Sequence, residues 1–170
     1  MPLADATYPL ERFRVIDLGT VIAGPLAARI LADMGAEVVK VEAPRTGSGV
    51  RHLHPFPGDK PDRETSAVHL FVDTCKRSVT LDWRVPQGER LLLRLLQDAD
   101  VLVEDVPPLE KAASLSLFER IGKLAPRLIW ASVTPFGETG PYRDLRVTDL
   151  TLAALGGWLY QTGEPEREPL

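Results

Sequence analysis

The stretch from Phe13 to Glu42 constrains the fold more than any other. It reads strand, helix, strand in about thirty residues, the length of a βαβ unit. Phe13-Arg14-Val15-Ile16-Asp17-Leu18 is a short run containing Val and Ile, which suits a buried strand. From Pro25 to Met34, Leu26, Ile30, Leu31 and Met34 recur on one helical face. Pro25 suits the first helical position and Gly35 a C-cap. Glu37-Val38-Val39-Lys40-Val41-Glu42 is a second strand. Strands joined through a helix run parallel, and a parallel sheet is covered by helices on both faces.

The alternation continues along the chain. Ala43 to Thr65 is rich in Pro, Gly and charge, and a loop of this length is functional or mobile. Apolar residues return at Ala67 to Val72, and a third strand is expected at Ser78 to Trp83. Pro86 opens a helix through Leu91, Leu92, Leu95 and Leu96 that breaks at Asp98-Ala99-Asp100. Val101 to Glu104 reads as a fourth strand and Leu128 to Val133 as a fifth. Between them, Ser116-Leu117-Phe118-Glu119 fits a capping box on a helix to Leu124. Thr148 is placed to cap a last helix through Leu159, weakened by Gly156-Gly157. The expectation is an α/β, Rossmann-like, mainly parallel sheet flanked by helices.

Composition narrows the function. The 170 residues make one α/β domain the default, spanning 1–170. A net charge of −4 argues against nucleic acid as the main partner. Cys75 is the single cysteine, so no internal disulfide forms, and the cytoplasm is the expected location. The first ten residues lack the basic and apolar regions of a secretory signal. No apolar run approaches the ~18 residues of a membrane span, and no membrane partner is expected.

In open parallel sheets, ligands bind beyond the carboxyl ends of the strands. That rule gathers four loops here: Gly19 to Gly24, Ala43 to Arg51, Asp105 to Leu109 and Thr134 to Pro141. The first enters a helix N-terminus, where free amides and the helix dipole favour an anionic group. Arg45 and Arg51 add charge suited to phosphate. These features fit a phosphorylated, nucleotide-like ligand. An NAD-binding domain is the rival, since Glu42 closes the second strand where such domains keep a ribose-binding acid. Its G-x-G-x-x-G fingerprint is absent, however, and Val21 and Ile22 stand where glycines would be needed.

No nucleophile constellation declares itself. His52 and His54 sit two apart in the long loop, which without further ligands falls short of a recognisable metal site, and no metal is expected. His69 reads as a packed residue and Cys75 as a buried cysteine, although Lys76 and Arg77 beside it would favour a thiolate. Asp17 at the end of its strand reads as an acid that orients a neighbouring loop.

The segments Val15-Ile16-Asp17-Leu18-Gly19-Thr20-Val21-Ile22-Ala23-Gly24-Pro25 and Leu31-Ala32-Asp33-Met34-Gly35-Ala36-Glu37-Val38-Val39-Lys40-Val41-Glu42 strongly resemble the opening of class III CoA-transferases, the formyl-CoA transferase and carnitine CoA-transferase type. Lys76-Arg77-Ser78-Val79-Thr80-Leu81-Asp82, Ala99-Asp100-Val101-Leu102-Val103-Glu104 and the run from Pro126 to Tyr142 recur in the family's order. The tail from Gly156 to Pro165 also fits. The resemblance implies the N-terminal, CoA-binding lobe of such a fold, with an acyl-CoA and a carboxylic acid as small-molecule partners. It also implies a homodimer, or a heteromer with a related chain.

Carried over by position, Thr20, Val21, Ile22 and Ala23 resemble the family's CoA-contacting loop, and Arg45 and Arg51 its basic residues near the nucleotide phosphates. Lys76 and Arg77 resemble a basic pair near CoA. Glu104 opens a turn like the family's Glu-Asn-Phe-Arg-Pro-Gly, and Phe136-Gly137 one like Gly-Phe-Gly-x-Thr-Gly-Pro. After Glu104 this chain reads Asp105-Val106-Pro107-Pro108-Leu109, without the arginine and glycine of the commoner pattern. Thr148 stands where racemase relatives carry a catalytic histidine, which disfavours proton exchange at Cα.

Family members are much longer, and their nucleophilic aspartate falls beyond Leu170, so the catalytic residue is unknown within this chain. In the family that carboxylate attacks the thioester, giving a mixed anhydride and then an enzyme–CoA thioester. CoA transfer is therefore the expected activity. The alternative is a non-catalytic CoA-binding or scaffolding subunit that pairs with a complete partner chain.

Overall fold

The computed structural model describes residues 8–107, 111, 115–164 and 167. Five parallel strands form the sheet: β1 (Arg14–Asp17), β2 (Glu37–Glu42), β3 (Arg77–Thr80), β4 (Val101–Glu104) and β5 (Ile129–Ser132), in the order β3-β2-β1-β4-β5. Ile16 pairs with Val39 on one side and Leu102 on the other. The chain runs outward from β1 to β2 and β3, then returns to place β4 on β1's free edge. The crevice between the carboxyl ends of β1 and β4 is thus a topological switch point, where such sheets bind ligands.

Helix α1 (Ala23–Asp33) covers one face of the sheet, and α3 (Pro86–Gln97) and α4 (Leu115–Leu124) cover the other. The two-residue strand period decides which side chain goes where. Val15, Val38 and Val103 pack with Ala28 and Ala32 of α1, whereas Ile16 and Leu102 pack with Leu92, Leu96, Phe118 and Ile121. Helix α2 (Ala67–Val72) is short and capped by the Ser66 hydroxyl. The loop between β2 and α2 carries 3-10 turns at Gly49–His52 and Pro57–Asp59.

The α1 helix departs from its expected form. It begins at Ala23, so Pro25 is its third residue, and it buries Gly24, Pro25, Ala28 and Ala32. Ile30 and Met34, expected on the buried face, are 52% and 46% exposed. Small residues let the helix axis lie close to the sheet, and the larger side chains then project outward. Gly35, at φ 99°, ends the helix as expected.

The chain divides into two units at Val133/Thr134. The second contains α5 (Asp149–Leu155), capped by Thr148 and Thr151 in a reciprocal box. It stops at Gly156, short of the expected Leu159, and Gly157 at φ 77° turns the chain before a 3-10 turn at Leu159–Gln161. Pro108-Leu109, the Ser116 side chain of the expected capping box, Pro165 and the final residues 168–170 lie outside the described residues.

Candidate functional site

A pocket of about 420 Å³ opens over the carboxyl edge of the sheet at the switch point. Its walls come from Leu18–Val21, Val41–Ala43, Thr46–Gly49 with His52, Leu81–Arg84 and Asp105–Pro107. It falls within the roughly 300–1,000 Å³ common for small-molecule sites. Ser48 Oγ donates to the Thr20 carbonyl at 3.3 Å, tying the second loop to the first. The Arg84 guanidinium lies 4.9 Å from the Trp83 ring centroid in the wall that both residues form.

Of the expected residues, Thr20 and Val21 line this pocket, while Ile22 and Ala23 begin α1 beside it. Their amides are not all free. The Asp105 carboxylate accepts from the Thr20 amide at 2.7 and 2.8 Å, from the Val21 amide at 2.9 Å and from the Thr20 hydroxyl at 3.0 Å. The anion seated ahead of α1 is therefore the protein's own.

Arg45 is exposed in the loop that forms the second wall, and its guanidinium makes no ion pair among the described residues. Arg51 is engaged internally: Nε and Nη2 donate to the two Glu42 oxygens at 2.6 and 2.8 Å, and Nη1 reaches Glu64 at 2.9 Å. Glu42 also accepts from the Ser78 hydroxyl at 2.7 Å and the Ser48 amide at 2.9 Å. Burial pushes the Glu42 carboxyl up, but the Arg51, Ser78 and Ser48 hydrogen bonds outweigh it and bring it down to about 2. With its oxygens so filled, Glu42 has no acceptor left for a ribose, which removes the main support for an NAD site.

Lys76 lies beneath the pocket wall on the α1 side, with its side chain only 1% exposed. Its ammonium donates to Asp17 Oδ2 at 2.7 Å, the Pro25 carbonyl at 2.7 Å and Asp73 Oδ1 at 2.9 Å. Lys40, fully buried from β2, joins Asp17 at 3.2 Å and donates to the Gly19 carbonyl. Asp17 Oδ1 in turn accepts from the Gly19 amide at 2.8 Å, so it orients the first loop. His69 Nδ1 closes the network on Asp73 at 2.9 Å. Burial raises Asp73's carboxyl, but the Lys40 charge and the Lys76 hydrogen bond and charge outweigh it and leave it below its ordinary value.

Arg77 stands at the amino end of β3, opposite the pocket, paired with Glu37 at 2.9 Å. Glu104 is buried at the end of β4 and accepts from the Val106 amide at 2.7 Å, Trp130 Nε1 at 3.0 Å and Lys111 at 2.5 Å. Its carboxylate shapes the turn from below. Phe136 and Gly137 belong to the second unit, where the Phe136 ring lies 6.0 Å from Tyr142 and Gly137 adopts φ 83°. Thr148 serves there as a helix cap.

Cys75, expected to be buried, is exposed. It sits at φ 63° in the turn between α2 and β3, and it is the neighbouring Lys76 whose side chain the turn directs inward. The histidines do not converge: His52 Nε2 lies 3.0 Å from the Thr46 carbonyl and His54 packs edge-on against Phe56. Among the described residues no group of three His, Cys, Asp or Glu is arranged around a metal position.

Sequence reasoning missed the roles of Lys40 and Asp105. A lysine inside a doubly covered parallel strand was the available signal for the first, since such strands are ordinarily apolar. Asp105 was placed by its loop at the carboxyl end of the fourth strand, but its partners were not legible, because they lie 84 and 85 positions away.

The family model described as CoA-transferase family III matches residues 10–170. The chain belongs to this family. It is 39% identical over 165 residues to the succinate–glutarate CoA-transferase of Agrobacterium fabrum, covering 95% of this chain and 41% of that protein. It is 39% identical over 166 residues to the succinyl-CoA–L-malate CoA-transferase beta subunit of Chloroflexus aurantiacus, covering 96% and 40%. The crystal structure of a CAIB/BAIF family protein from Brucella suis matches with a TM-score of 0.83 at 34% identity, covering 95% of this chain and 43% of that one. The chain thus spans about two-fifths of the length of these family members. The family's parallel sheet with flanking helices is the architecture found here.

Proposed function

We propose that the chain forms the acyl-CoA-binding α/β part of a CoA-transferase, which moves CoA from an acyl-CoA thioester to a carboxylic acid. The observation that carries this reading is the pocket at the β1/β4 switch point in a chain of this family. Thr20 and Val21 with the start of α1 at Ile22 and Ala23 are assigned to the ligand's pantetheine arm, and Arg45 to its phosphates. Arg51 acts through Glu42, holding the loop that carries Arg45.

The names of the succinate–glutarate and succinyl-CoA–L-malate relatives support a small dicarboxylic acid as acceptor. The nucleophile is assigned to a carboxylate outside these 170 residues, in the same protein, a second copy or a related chain. The relative named as a beta subunit supports a partner chain. The lone cysteine supports a cytoplasmic setting. No helix among the described residues is long and apolar enough to cross a membrane.

Isothermal titration with CoA tests the reading. Saturable binding is expected, and Arg45→Glu weakens it about tenfold by removing a charge-assisted phosphate contact. No CoA binding, or equal affinity in the variant, overturns it. Co-purification with a second chain bearing the nucleophile separates a scaffolding subunit from a transferase part.

A further inference from the structure

Three carboxylates line the pocket, Glu42, Asp82 and Asp105, and their surroundings differ. Asp82 Oδ1 accepts from the Arg84 amide at 3.1 Å. Glu42 is neutralised by the bidentate Arg51. Asp105 is held only by neutral donors, the Thr20 and Val21 amides and the Thr20 hydroxyl, and among the described residues it makes no ion pair. Gly24 gives its carboxylate room: a Cβ there would come within 3.2 Å of Asp105 Oδ2. Among the described residues Asp105 is therefore a fixed negative charge with no ion-pair partner over the first turn of α1, on the donors a ligand's anion would otherwise use. A second anion at that place would lose the amides and meet a like charge, and like-charge juxtaposition at an interface is strongly unfavourable.

We infer that Asp105 is a specificity-determining residue of this pocket: it turns anionic groups away from the Thr20–Val21 wall, so that this wall takes an uncharged stretch of the ligand. This deepens the acyl-CoA reading and rests on it for the identity of that stretch, the pantetheine arm. It leaves the phosphates to the other loop, where Arg45 makes no ion pair among the described residues.

The test compares wild type, Asp105→Asn and Asp105→Ala with inorganic pyrophosphate as the anionic probe and pantetheine as the neutral one. Asn keeps the shape and an accepting oxygen but drops the charge, whereas Ala removes both. Titration calorimetry is expected to show pyrophosphate affinity rising from wild type to Asn to Ala. The ratio of pyrophosphate to pantetheine affinity should rise about tenfold in the Asn variant. The amide resonances of Thr20 and Val21 should move with pyrophosphate, locating the new contact. Equal or weaker pyrophosphate affinity in Asp105→Asn, no saturable pyrophosphate binding to any of the three, or binding that leaves those resonances unmoved overturns the inference. Should Asp105→Ala fail to fold, the Asn variant decides alone. If pyrophosphate behaves as expected while CoA and pantetheine do not bind, the acyl-CoA reading falls and the role of Asp105 stands.

Discussion

At the end of β2, Glu42 collects donors from Arg51, Ser78 and Ser48, and its carboxyl falls from the ordinary 4.5 to about 2. Its folded value lies below its unfolded one, so its contribution to stability is complete above pH 4.5 and is lost as pH falls toward 2. That displacement corresponds to about 3 kcal/mol. Urea unfolding followed through this window should show stability falling with pH in the wild type and a flatter dependence in Glu42→Gln; identical slopes would deny the linkage. The glutamate itself was legible as a strand-end acid, as were Arg51 as a basic loop residue and Asp17 as a loop-orienting acid. That Arg51 would serve Glu42 was not, because the eight residues between them turn back through an irregular loop with no period to read.

At the scale of elements, apolar periodicity located all five strands and the long helices, with ends that shifted by a few residues. The α3 helix lies almost where Pro86 and the leucines placed it, and packing there is close enough to reverse a propensity rule. Gly88 is its third residue, and a Cβ at that position would lie 1.8 Å from the Asp82 carbonyl oxygen in the pocket wall. Alanine gains about 1 kcal/mol over glycine in an exposed helix interior. Overpacking a closely fitted site costs about 1–3 kcal/mol. Because the obstructing atom belongs to the backbone, the packing cost wins. Gly88→Ala should lower stability by about 1–2 kcal/mol in denaturant titration, and a stabilised variant would refute the fit. The α1 helix shows the converse: its apolar spacing was sound, yet Ala28 and Ala32 face the sheet while Ile30 and Met34 project outward. Period alone does not tell which of two apolar faces a close-packed sheet accepts.

Across the molecule, Asp17, Lys40, Asp73, Lys76 and His69 join β1, β2, α2 and the turn before β3 beneath the Gly19–Pro25 segment. Removing one partner of a buried ion pair leaves an uncompensated charge and costs about 3–5 kcal/mol. Lys76→Met should destabilise by about 3 kcal/mol, and adding Asp73→Asn should recover part of that loss in a double-mutant cycle. Additive losses would show that the network is not coupled. The sequence by itself determined the strand–helix alternation, the parallel sheet and the family, because hydrophobic period and short motifs are local properties of the chain. Only the tertiary structure decided which charges meet. Lys76 and Asp17 are 59 positions apart, and Asp105 and Thr20 are 85. Strand register and helix seating bring those pairs within hydrogen-bond distance, so Lys76 holds the loop from below and Asp105 holds it at the pocket wall.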